Sequence, residues 1–131
     1  MLRKSLFGFL VLALLLGAFV PANLAQAAAT PGFFSISVAN GIKADSVGYP
    51  SNYQFVFSIY QGPLYRQYLL RRWQRVDTQL PEGWYAFQLS DRNGKVLART
   101  RYYFVASGTN LRWQSKLGPP DMKFRIMLKF K

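Results

Sequence analysis

The stretch 80-LPEGWYAFQLSDRNGKVLARTRYYFVAS-107 decides the fold class of this 131-residue chain. Pro81-Glu82-Gly83 makes a corner at its start. From Trp84 to Ser90 the apolar residues then alternate, with Tyr85, Phe87 and Leu89 on one side, the period of a strand with one buried face. Asp91-Arg92-Asn93-Gly94 is a turn, since Asn and Gly tolerate the positive φ that a tight reversal requires. Lys95 to Val105 returns, placing Val96, Ala98, Thr100, Tyr102 and Phe104 on one face. Lys95, Leu97, Arg99, Arg101 and Tyr103 lie on the other. A β-hairpin is therefore expected, and its arginine–tyrosine strand is either a binding face or the wet side of a small sheet.

The same period of two runs outward in both directions. Phe34, Ile36 and Val38 alternate with Phe33, Ser35 and Ser37. Phe55, Phe57 and Ile59 follow a Gly-, Ser- and Pro-rich loop at residues 41–52. Residues 64–76, LYRQYLLRRWQRV, carry arginine on both alternating faces and are read as a bent or edge strand rather than a helix. Leu111, Trp113 and Leu117 oppose Arg112, Gln114 and Lys116. In the last run, Phe124, Ile126, Leu128 and Phe130 oppose Lys123, Arg125, Met127 and Lys129. About seven short strands with turn chemistry between them, and no clear helix, predict an antiparallel two-sheet β-sandwich.

The first residues are set apart from this domain. Arg3 and Lys4 precede an uncharged apolar run from Leu6 to Val20, and Ala25-Gln26-Ala27 fits a small-residue cleavage signal. Residues 1–27 therefore read as a signal peptide cleaved after Ala27, and residues 28–131 as a single exported domain, periplasmic or secreted. That domain carries no transmembrane segment. The apolar run is itself short for a transmembrane helix, which needs about 20 residues.

Composition narrows the chemistry. The chain has no histidine and no cysteine, which removes Ser-His-Asp and Cys-His catalysis, zinc, haem and iron–sulfur ligation, and disulfides. The five acids, Asp45, Asp77, Glu82, Asp91 and Asp121, are each expected in or beside a turn rather than as a catalytic pair. No cofactor is implied, and an enzyme is the least favoured reading. Stability must come from packing, for which eleven Phe, eight Tyr and three Trp supply large buried areas.

The hairpin resembles one found in immunoglobulin-like domains of exported bacterial proteins. There, a Pro-x-Gly-aromatic corner feeds a strand, a D-x-x-G turn and a return strand beginning K-V-L. The matching residues are Pro81, Gly83, Trp84, Asp91, Gly94, Lys95, Val96 and Leu97. The resemblance implies a binding, scaffolding or assembly module and brings no catalytic residue.

What remains is a charge bias of 17 Lys and Arg against 5 Asp and Glu. The candidate partner-binding residues are Arg71, Arg72, Trp73, Arg75, Arg99, Arg101, Arg112, Lys116, Lys123, Arg125 and Lys129, with Trp113 as a flanking aromatic. A wet sheet face normally mixes both signs; this one hardly does. The expected function is a non-enzymatic module binding an anionic envelope polymer, a lipid headgroup or an acidic protein, with nucleic acid less favoured. The alternatives are an assembly or chaperone-like protein pairing through an edge strand, and a small outer-membrane barrel, against which the basic second faces and the terminal Lys131 count.

Overall fold

The structure, a computed structural model, describes residues 29–131, so the signal-peptide reading lies outside the described residues. The fold is all-β, with nine strands in two sheets. One sheet has the order β4-β1-β8-β9, built from β1 (Phe33–Asn40), β4 (Arg75–Pro81), β8 (Asn110–Gly118) and β9 (Lys123–Phe130). The other has the order β3-β2-β5-β6, built from β2 (Phe55–Tyr60), β3 (Leu64–Leu70), β5 (Gly83–Ser90) and β6 (Val96–Arg99). A ninth strand, β7 (Tyr103–Val105), pairs with the first residues of β5. A single 3-10 turn, Ala44–Val47, lies between β1 and β2. Among the described residues no helix is long and apolar enough to cross a membrane.

The two inner faces meet in one core. Phe34, Ile36, Val38, Leu80, Leu111 and Trp113 come from the first sheet, and Phe55, Phe57, Ile59, Tyr85, Phe87 and Leu89 from the second. The rings of Phe57 and Phe87 pack on Trp113 at 5.3 and 5.2 Å between centroids. The alternation expected for β1, β8 and β9 is the one observed, whereas β2 and β5 put the expected residues on the core but are buried on both faces.

Four expectations are corrected. Residues 64–76 are not one bent strand. They end β3 at Leu70, turn through Arg71–Gln74 and begin β4 in the opposite sheet. Buried Asn40 drives that switch: its side-chain amide donates to the Leu70 carbonyl at 2.7 Å, and its own carbonyl accepts the Trp73 N–H at 2.8 Å. The return strand of the hairpin is likewise divided. Thr100 exchanges hydrogen bonds with Phe87 through its N–H and its hydroxyl oxygen, breaking the ladder between β6 and β7. The break shifts the facing, so that Ala98 of β6 lies level with core Leu89 while Tyr103 and Val105 of β7 take the inner side, leaving Tyr102 and Phe104 exposed. The sheets are not wholly antiparallel, since β8 arrives by a crossover from the other sheet and runs parallel to β1. Finally, Asp77 lies within β4 rather than at a turn.

The quoted hairpin is held at both ends. At the far turn, Asp91 accepts the N–H groups of Asn93 and Lys95 at 2.9 Å each, as well as the Tyr49 hydroxyl at 3.2 Å. The Lys95 N–H contributes most to holding its carboxyl below the ordinary value. Its stabilising contribution is therefore full above the ordinary carboxylate range and fades as pH falls through that lowered value.

At the near corner the Tyr85 hydroxyl donates to the Pro81 carbonyl at 2.6 Å and accepts from the Gln61 amide at 3.2 Å. Burial pushes its phenol from 10.0 up to about 12. Between those values the unfolded chain releases the proton while the folded chain keeps it, so stability falls as pH rises across the window. Tyr85→Phe is expected to lose about 1–2 kcal/mol at neutral pH, because the Pro81 carbonyl loses its partner. The variant should also remove this alkaline loss, as read by urea unfolding across pH.

Candidate functional site

Strand pairing determines which cations share a surface. In β4, β1, β8 and β9 the residues between the core positions point outward, and the registers align them. Ser37 pairs with Asp77 and Arg112, and Arg112 with Lys129. Ala39 pairs with Arg75 and Gln114, and Gln114 with Met127; Lys116 pairs with Arg125. The outer face of this sheet thus carries Arg75, Arg112, Lys116, Lys123, Arg125 and Lys129, all exposed.

Carboxylates reach only part of this set. Arg75 pairs with Asp77 at 3.0 Å. Arg125 and Lys123 share Asp121 in the β8–β9 turn, at 3.3 and 4.0 Å. The Arg125 side chain also lies across Gly118, in the space a β-carbon would fill. Arg112, Lys116 and Lys129 form no ion pair among the described residues. Two pairs of cations, Arg112 with Lys129 and Lys116 with Arg125, stand directly opposite each other on neighbouring strands. Like charges so placed destabilise a sheet, at Cβ separations of about 5 Å.

The other candidates lie elsewhere. Arg71, Arg72 and Trp73 form the β3–β4 turn at one end of the molecule. Trp73 is 73% exposed and adopts φ 72, with the Arg72 guanidinium 4.6 Å from its ring. The Arg72 Nε atom is buried without a hydrogen-bond partner. Arg71 lines an open depression of about 380 Å³ with Arg92, Tyr53 and Asn52. Arg99 and Arg101 belong to the opposite sheet. Arg99 donates to Gln88 at 2.7 Å and covers the Tyr60 ring at 4.7 Å, while Arg101 covers Tyr103 at 4.4 Å. The arginine–tyrosine alternation of the hairpin is therefore largely a set of local stacking contacts. Trp113 is removed from the site altogether, because it is 1% exposed and its ring fills the core.

Sequence reasoning missed Asn40, whose buried amide positions the Arg71–Gln74 turn; its place at the end of an alternating run is the only signal for it. Chemically, the face offers charge and hydrogen-bond donors. Among the described residues no three His, Cys, Asp or Glu side chains come together. The chain matches no protein-family model, and a search of curated proteins finds no relative.

Proposed function

We propose that this chain is an exported, non-enzymatic binding module that holds an anionic polymer of the cell envelope on the outer face of the β4-β1-β8-β9 sheet. The observation that carries the reading is the cross-strand contact of Arg112 with Lys129, neither ion-paired among the described residues, beside a Lys116 that faces Arg125 and has no carboxylate of its own. A face selected only for solubility would place a carboxylate opposite each cation; this face keeps a repulsion that a bound polyanion relieves. Heparin and inorganic polyphosphate are the probes. Retention that weakens steeply with salt supports the reading, and no retention at low salt overturns it.

An immunoglobulin-like connectivity fits this role. β1 and β4 stand as strands B and E do in such domains, and β3, β2, β5 and β6 as C′, C, F and G. The Tyr85–Pro81 bond occupies the tyrosine corner, and Phe87 takes the place of the second disulfide cysteine two residues later. β8 departs from the pattern, running parallel to β1 where strand A would be antiparallel, and β9 extends that sheet. The two departing strands bring five of the face's six cations.

Trp73 adds an aromatic edge beside Arg75. A left-handed backbone at a bulky residue is strained by roughly 1–2 kcal/mol, and glycine would relieve it. Trp73→Gly is therefore expected to raise the urea midpoint while weakening polyphosphate retention. An unchanged retention would remove Trp73 from the site.

A second reading rests on the free side of β9. Asn110 and Lys131 exchange both backbone bonds, so the N–H groups of Phe124, Ile126, Leu128 and Phe130 point away from β8. A partner strand would pair through those groups. Salt-insensitive capture of extended peptides, lost in Ile126→Pro, would replace the electrostatic reading.

A further inference from the structure

The exposed aromatic side chains are not spread evenly. Among the described residues Phe33, Trp73, Trp84, Tyr102, Phe104 and Phe130 are exposed, and all but Trp73 lie at one end of the molecule. Registers place them there: Phe33 pairs with Pro81 at the β4–β5 corner, and Trp84 with Phe104. The Tyr102 hydroxyl accepts the Gly62 N–H at 3.2 Å in the β2–β3 turn, beside exposed Leu64. Trp84 and Phe104 are 60% and 48% exposed and meet edge to face at 5.5 Å between centroids. Among the described residues nothing covers this pair, although burying it would be worth several times thermal energy.

Cations stand around the aromatics. Arg66 lies two residues along β3 from Leu64, roughly 7 Å back at the rise of a strand. Arg101 adjoins Tyr102, and Lys131 follows Phe130. Among the described residues the one side-chain carboxylate at this end is Glu82, which accepts the Ser107 N–H at 2.8 Å. The chain before residue 29 also joins the fold here. Thr30 bonds to the Gln79 side chain at 3.0 Å, and Gly32 to the Ser107 hydroxyl at 2.9 Å.

We infer that this end docks on an anionic lipid bilayer. The Trp84–Phe104 pair enters the headgroup–acyl boundary, and Arg66, Arg101 and Lys131 sit at the level of the phosphates. Amphipathic aromatic rings prefer that boundary, and apolar faces settle about 5–10 Å into it. The Trp84–Phe104 pair belongs to the β5–β7 ladder and not to the basic sheet, so different variants probe the two surfaces.

The test uses vesicles of equimolar phosphatidylglycerol and phosphatidylethanolamine, with phosphatidylcholine vesicles as the uncharged comparison. In a Trp73→Phe background the exposed emitter is Trp84. Its emission is expected to shift to the blue on the anionic vesicles and to be quenched by lipids brominated high on the acyl chain. Trp84→Gln with Phe104→Gln should lower vesicle partition at least about tenfold, leaving heparin retention unchanged. The quenching requires no altered packing at this end, so it decides the matter even if the double variant folds poorly. Absence of vesicle binding, or binding without Trp84 quenching, overturns the inference. So does a dimer in sedimentation that the double variant abolishes, which would assign the patch to a second copy of the chain. Loss of heparin retention with Trp84 quenching intact would sink only the anion-binding face.

Discussion

Trp113→Ala is expected to lower the unfolding free energy by about 3–5 kcal/mol, measured by urea denaturation at neutral pH. The indole is 1% exposed, packs on Phe57 and Phe87 of the facing sheet, and donates its Nε1–H to the Ser115 hydroxyl at 2.9 Å. Truncation opens a void between two sheets that both anchor on it, and the surrounding strands cannot collapse without losing register. Domains of this size are stabilised by only about 5–15 kcal/mol, and this chain has no cysteine to lend a disulfide. The variant is thus expected to unfold well below the parent's midpoint or to be recovered only partly folded. A loss under about 1 kcal/mol would mean that the two sheets do not share this core.

The position of Trp113 was legible in the sequence, since its alternation with Leu111 and Leu117 already put it on the apolar face. Its proposed role beside the cations contradicted that periodicity, and the periodicity prevailed. The all-β class was legible for the same reason: a strand with one face on a core must alternate. Two breaks were not. The Arg71–Gln74 turn contains neither glycine nor proline, and its left-handed position is filled by Trp73, which sequence reasoning assigns to strand. The β6–β7 division depends on Thr100 bonding to Phe87 across the sheet, a non-local contact without a local signature. The site was legible by residue type and illegible by place. Arg99 and Arg101 look like Arg112 and Lys116 along the chain, yet strand pairing sends them to opposite sheets.

Arg112→Gln, Lys116→Gln and Lys129→Gln in combination are expected to weaken polyphosphate and heparin binding about a hundredfold at moderate salt. Each cation near an anionic surface is worth roughly 1 kcal/mol, and a tenfold change in affinity is about 1.4 kcal/mol. These three are the cations of the face that form no ion pair among the described residues. Arg92→Gln, Lys95→Gln and Arg99→Gln, in the β5–β6 hairpin of the opposite sheet, remove the same net charge and serve as the comparison. A module that acts through its net charge loses affinity equally in both variants, whereas one that acts through the face loses it only in the first. The stability change separates the two further. Removing both members of the Arg112–Lys129 pair and one member of the Lys116–Arg125 pair relieves cross-strand repulsion worth roughly 0.2–1 kcal/mol per pair, so the face variant should melt higher than the parent while binding less. That opposition of signs is what a solvated face does not produce. If binding and melting temperature fell together, the cations of β8 and β9 would be structural, and the anion-binding reading would fail.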